Sequence, residues 1–146
     1  MREIKFRAWF PKAKRLLHFD EVVIDDEYDR LAIRLVDSDA VQRYGHLAGE
    51  SYLPNEPFEL MQYTGLKDKN GKEICEGDIV RLGGWWDACG SAGYEKPEVL
   101  VEWDNENCGF NPFANYDSDC GVRHFANECE VIGNIYENPE LLGNGK

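Results

Sequence analysis

The chain has no apolar run approaching the roughly 18 residues that a membrane span requires. Its opening Met1-Arg2-Glu3-Ile4-Lys5 carries charges where a secretory leader would carry an apolar core. A cytoplasmic protein that does not enter a membrane is therefore expected. Neither a G-x-x-x-x-G-K-[ST] nor a G-x-G-x-x-G phosphate loop occurs, which disfavours nucleotide hydrolysis and dinucleotide cofactors. Basic residues are scarce, 16 against 28 acidic, for a net charge of −12. A field of that sign repels a phosphate backbone, so no direct nucleic-acid binding is expected and any partner should be basic. The five cysteines include no C-x-x-C pair and are odd in number, which argues against a disulfide framework and for free, mostly buried thiols.

The charge that is present is unevenly placed. Residues 1–18 hold six bases and one acid, whereas 83–146 hold three bases and twelve acids. A length of 146 residues, with 42% hydrophobic and 12% aromatic, suits one folded domain over 1–146. Gly45, Gly49, Pro54 and Pro57 make the stretch 44–57 the candidate for a subdomain boundary.

Alternation in Glu3-Ile4-Lys5-Phe6-Arg7-Ala8-Trp9 predicts a half-buried strand, with Ile4, Phe6 and Ala8 inside and Lys5 and Arg7 outside. Pro11-Lys12 then predicts a turn, and Arg15–Phe19 a returning strand. Between 20 and 56 the apolar spacing fits helix and strand alike, and strand is favoured around Leu31, Ile33 and Leu35. Phe58–Tyr63 reads as a strand closed by Thr64-Gly65, Asn70-Gly71 as a hairpin turn, and Glu76-Gly77-Asp78 as a turn into Ile79–Leu82. Glu98–Trp103 reads as one strand with Val99, Val101 and Trp103 on one face, followed by an irregular polar stretch from Asp104 to Asp119. Cys129–Tyr136 closes the fold, with Gly133 marking a bulge or a close backbone approach and Asn138-Pro139 ending the strand. Short strands separated by turn residues predict a mainly β chain, a small SH3-like or related barrel of antiparallel strands with long loops.

No cluster forms a catalytic signature. Cys120, His124 and Cys129 could supply three zinc ligands, but the C-x3-H-x4-C spacing lacks the tight chelating pair of structural zinc sites, and ordinary burial is the better reading. Asp117-Ser118-Asp119 opens like a calcium loop and then fails, because Gly121 and Val122 stand where an oxygen ligand and a glycine belong. No metal, cofactor or catalytic residue is assigned. Trp9, Trp85 and Trp86 are the candidate interaction residues, because three large aromatics exceed what a small polar barrel needs to bury.

Three strings carry a resemblance. They are Arg2–Trp9, Gln62–Val80 (QYTGLKDKNGKEICEGDIV) and Val131–Leu142 (VIGNIYENPELL). Together they resemble the YopX family of phage and prophage proteins. The resemblance implies a β-rich accessory protein of the bacterial host cytoplasm without an established activity, and it transfers no catalytic residue. The expected role is non-enzymatic, by self-association as a homo-oligomer or by binding a host or phage protein. The alternative is an acidic inhibitor that mimics DNA in the cleft of a host DNA-processing protein.

Overall fold

Among the described residues, alternating and β-branched segments separated by turn residues fold into thirteen strands. The computed structural model describes residues 3–12, 14–19, 21–25, 30–34, 57–83, 98–114, 116–117, 122–123 and 125–143. The strands are β1 (Phe6–Phe10), β2 (Arg15–Phe19), β3 (Glu21–Asp25), β4 (Arg30–Arg34), β5 (Glu59–Lys67), β6 (Glu73–Cys75), β7 (Asp78–Arg81), β8 (Glu98–Leu100), β9 (Glu102–Asp104), β10 (Gly109–Asn111), β11 (Tyr116–Asp117), β12 (Val122–Arg123) and β13 (Glu130–Asn134). Single 3-10 turns cover Ala126–Glu128 and Pro139–Leu142. The expected mainly β, barrel-like class is what forms, with strongly curled sheet. No helix among the described residues is long and apolar enough to cross a membrane.

Two compact units divide between Tyr63 and Thr64, inside β5. Of the stretch 44–57 expected as a boundary, residues 44–56 lie outside the described residues.

In the first unit, β1 pairs antiparallel with β2 and with the start of β5. Ala8, Phe10, Met61 and Tyr63 are buried, and Phe10 packs on Phe58 with ring centroids 5.9 Å apart. Alternation misplaced two residues. Arg7 is only 5% exposed and Ile4 is 67% exposed. The pairing of β1 starts at Phe6, so Ile4 lies beyond the ladder, whereas Arg7 sits mid-register between His18 and Met61. The β1–β2 turn carries Lys12, Lys14 and Arg15 exposed, and Lys14 has φ 50. Within the ambiguous stretch 20–56, residues 21–25 and 30–34 form the β3–β4 hairpin, with Val22 opposite Ile33 and Ile24 opposite Leu31, and 35–56 lie outside the described residues.

In the second unit, β7 lies between β13 and β8. Ile74, Val80, Leu82, Val101, Phe110, Ala126, Cys129 and Val131 form one buried cluster, with Val99 and Phe113 packed against it. Strand β5 does not stop at Gly65, which takes φ +85, but continues to Lys67. Thr64 holds that continuation: its Oγ1 donates to the Ile74 carbonyl at 2.7 Å and accepts from Leu66 N–H at 3.2 Å. The Asn70-Gly71 turn forms as expected, with Gly71 at φ +81 and its N–H donating to the Asp68 carbonyl. Gly133 marks both things expected of it. The β13–β7 register shifts between Val131 and Gly133, and a Cβ on Gly133 would lie 2.6 Å from Asn138 Oδ1. Strand β13 ends at Asn134, before Asn138-Pro139, because the Asn134 side chain accepts the N–H groups of Tyr136 and Glu137 and turns the chain.

Candidate interaction surface

The segment read as one strand from Glu98 to Trp103 breaks at Val101. Val101 donates its N–H to the Asp78 carbonyl and accepts from Gly77 N–H, both at 2.8 Å, and is fully buried. That anchor releases the following residues into a separate hairpin, β9 against β10, where an irregular stretch was expected. Its turn is built by short polar side chains. Asp104 Oδ1 accepts from Glu106 N–H at 2.8 Å and Asn107 N–H at 3.2 Å, and Oδ2 accepts from Asn107 Nδ2 at 2.8 Å. Cys108 takes φ 50 and its thiol donates to the Asn105 carbonyl.

This hairpin fixes an aromatic at the surface. Trp103 lies directly across from Phe110, edge to face, with centroids 5.2 Å apart and planes at 80°. Phe110 is buried in the core cluster, and Trp103 above it remains 44% exposed. The indole Nε1 donates to Asn105 Oδ1 at 3.1 Å, which sets the ring's orientation. Glu102 and Asp104 flank the tryptophan in sequence, on the opposite face of the strand, and Glu106 stands in the turn, so the hairpin carries three carboxylates. The surface is therefore a thin, internally hydrogen-bonded blade with one held indole and local negative charge.

Of the three tryptophans singled out by sequence, Trp9 is half-buried in β1 opposite Leu16 and Glu59, and Trp85 and Trp86 lie outside the described residues. Trp103 was missed because it was placed in one continuous strand, on the same face as Val99 and Val101. The available signal was its neighbourhood: an aromatic between two carboxylates, followed at once by Asn105-Glu106-Asn107, is a hairpin tip rather than a core strand.

Among the described residues no group of His, Cys, Asp and Glu is placed to hold a metal ion. Cys120 and His124 lie outside the described residues. Cys129 is fully buried, and its thiol donates to the Phe125 carbonyl at 3.3 Å. Burial pushes this thiol's pKa up, and the Glu128 and Asp68 charges add to the shift against the opposing Gly83 N–H. An alkylating reagent at mildly alkaline pH should therefore modify the exposed Cys108 of the folded chain and spare Cys75 and Cys129. Peptide mass spectrometry before and after denaturation checks this. Rapid labelling of Cys129 in the native protein would contradict its placement.

The buried carboxylates serve the backbone. Asp78 Oδ2 accepts Cys75 N–H at 2.8 Å. Asp68 Oδ1 accepts from Asn70 N–H at 2.8 Å and Lys72 N–H at 2.9 Å, while its Oδ2 accepts from Val131 N–H at 3.0 Å. Burial alone would raise the Asp68 pKa, but the three main-chain hydrogen bonds and the Lys72 charge outweigh it and hold the carboxyl below its ordinary value. Next to it, Lys69 N–H donates to the Cys129 carbonyl and Lys69 Nζ pairs with Glu130. Farther on, Ile135 N–H donates to the Gly77 carbonyl. The segments 68–78 and 129–135 are thus bonded to each other at several points.

Residues 5–143 match the family described as YopX protein. The chain belongs to the YopX family. It is also similar to the crystal structure of protein EF1440 from Enterococcus faecalis, at 26% identity and a TM-score of 0.59, over 97% of this chain and 99% of that one. No curated protein matches it. Two of the strings that carried the resemblance to the YopX family, 62–80 and 131–142, bond to each other through Asp68 and Gly77. In this YopX chain those strings therefore have a structural job. The Trp103 blade lies outside them.

Proposed function

We propose that this YopX chain is a non-enzymatic phage or prophage accessory protein that acts in the bacterial cytoplasm by binding protein, copies of itself included. The observation that carries this reading is Trp103, a tryptophan held at the surface by Phe110 and Asn105 instead of turned into the core. An aromatic whose orientation is already set loses little entropy when a partner covers it, which is the property of binding anchors. The carboxylates of the same hairpin favour a basic partner surface. They also favour the second reading, an acidic inhibitor seated in the basic cleft of a DNA-processing protein, which expects displacement by duplex DNA.

The test is affinity capture from host lysate with wild-type protein, the Trp103→Ala variant and the double Trp85→Ala, Trp86→Ala variant. Removing a central aromatic anchor weakens a specific contact by about 2 kcal/mol, roughly thirtyfold in affinity. Loss of a partner with Trp103→Ala alone supports the blade as the contact. Loss with the double variant alone would move the contact to the segment containing Trp85 and Trp86. Retention by both would refute the aromatic-anchor reading. Adding duplex DNA to the capture separates the two partner classes.

A further inference from the structure

The Asn70-Gly71 turn holds the groups of a self-modifying pair. Asn70 and Gly71 are both exposed. Asn70 bonds through its main-chain N–H to Asp68, and among the described residues nothing hydrogen-bonds its carboxamide. The next main-chain nitrogen belongs to a residue without a side chain, and even a Cβ built on Gly71 would meet nothing within 4 Å. Electrophile, nucleophile and open space therefore stand within one peptide unit. We propose that Asn70 is a self-modification site that converts to isoaspartate when the Asp68-held turn opens, and that the product loosens the turn's hold on β13.

The reaction needs water alone and no partner. The Gly71 nitrogen gives its proton to solvent and attacks Asn70 Cγ. The new N–Cγ bond closes a cyclic imide, and the Cγ–N bond of the carboxamide breaks to release ammonia, which takes up the proton. Water then adds to the main-chain carbonyl carbon of residue 70 and breaks its bond to the Gly71 nitrogen. The chain now runs through Cγ, and the former main-chain carbonyl is a free carboxylate. Addition of water at Cγ instead gives ordinary aspartate. In either case one water enters, one ammonia leaves and nothing is oxidised.

The closed turn blocks the attack. Gly71 N–H donates to the Asp68 carbonyl at 2.9 Å, and the Asn70 and Lys72 N–H groups on either side converge on Asp68 Oδ1 at 2.8 and 2.9 Å. Turning the Asn70–Gly71 peptide toward the carboxamide breaks these bonds, so the rate follows turn opening. The product cannot restore them. Isoaspartate inserts one extra carbon between the two N–H groups that share Oδ1, and it sets a second carboxylate beside Asp68. The other oxygen of Asp68 accepts Val131 N–H at 3.0 Å, so disturbing this carboxylate disturbs β13.

Full-length protein is incubated at mildly alkaline pH, folded and in concentrated urea, and peptide mass spectrometry that separates isoaspartate from aspartate follows position 70. Folded, Asn70 should convert about ten- to a hundredfold more slowly than in urea, because an exposed turn opens at small free-energy cost. Equal rates in the two conditions would overturn the gate. No conversion in the folded chain after the denatured one has gone to completion would overturn the site.

The consequence is read on the aged protein. The fraction with isoaspartate at position 70 should melt about 5 °C below fresh protein and exchange its Val131 amide about tenfold faster. Asn70→Asp carries the same added charge on an unlengthened backbone and should stay within about 2 °C of wild type. Asn144-Gly145, outside the described residues, is a second pair of this kind, so Asn70→Ser isolates the first: it should keep its fresh melting temperature through the same incubation. An isoaspartyl fraction that melts and exchanges like fresh protein would overturn the release of β13. An equal loss in Asn70→Asp would overturn it too, by assigning the effect to charge.

Discussion

Replacing Asp68 by alanine is expected to cost about 3 kcal/mol and to lower Tm by about 10 °C. The carboxylate is 4% exposed and accepts three main-chain N–H groups. Two of the donors, on Asn70 and Lys72, belong to an exposed turn where water can take over. The third, on Val131, lies in a buried strand and would lose its acceptor without a replacement, which accounts for most of the expected loss. Asparagine should recover less than half of it, because one of its two polar atoms is a donor and must face another donor.

The same group sets an acid limit. Its folded pKa is depressed, so its stabilisation is complete above the unfolded carboxyl value, near about 4, and is lost as pH falls through the lower folded value. Urea titrations at neutral pH and near pH 3 should show Asp68→Asn losing less stability on acidification than wild type. Equal acid losses in the two proteins would refute a depressed Asp68 pKa.

Gly83→Ala should be as damaging, for a different reason. A Cβ at Gly83 would fall on the backbone carbonyl oxygen of Glu128, at the end of the 3-10 turn Ala126–Glu128. Backbone cannot rotate away as a side chain can. The turn would have to lift off the end of β7, and with it Cys129, which is fully buried against Leu82's cluster. The expected loss is about 3 kcal/mol, the upper end for forced overpacking. Gly71→Ala is the control. That glycine has φ +81 but nothing within 4 Å of a built Cβ, so it should cost only the left-handed backbone strain, about 1 kcal/mol. Chemical denaturation of both variants compares the mechanisms directly, and equal losses would mean that the approach of Gly83 to Glu128 does not constrain the fold.

Local turn chemistry was readable from sequence. Pro11-Lys12, Asn70-Gly71 and Glu76-Gly77-Asp78 were identified because the backbone angles of a turn are imposed by the residues inside it. The mainly β class and the family followed from the same punctuation, together with strings that span the chain. The pairing of β1 with β2 was also legible, since a short turn leaves the two strands little choice of partner.

Burial and partnership were decided elsewhere. Alternation on β1 predicted Arg7 outside, but a residue's exposure depends on the strands that flank its register position, and Met61, 54 residues away, is one of its neighbours. The break at Val101 depends on the loop around Gly77, and the role of Asp68 depends on Val131, 63 positions along the chain. Neither leaves a local pattern. Trp103 shows the limit plainly. Composition and periodicity announced an apolar residue on a strand, but its exposure arose because Val101 is held by distant backbone, which sends Trp103 into a second hairpin above Phe110. Sequence alone thus determined the turns, the strand content and the distribution of charge, all of which arise within a few residues. Tertiary structure alone decided which polar groups are buried and which aromatic stays in water, because both depend on which remote segments pack together.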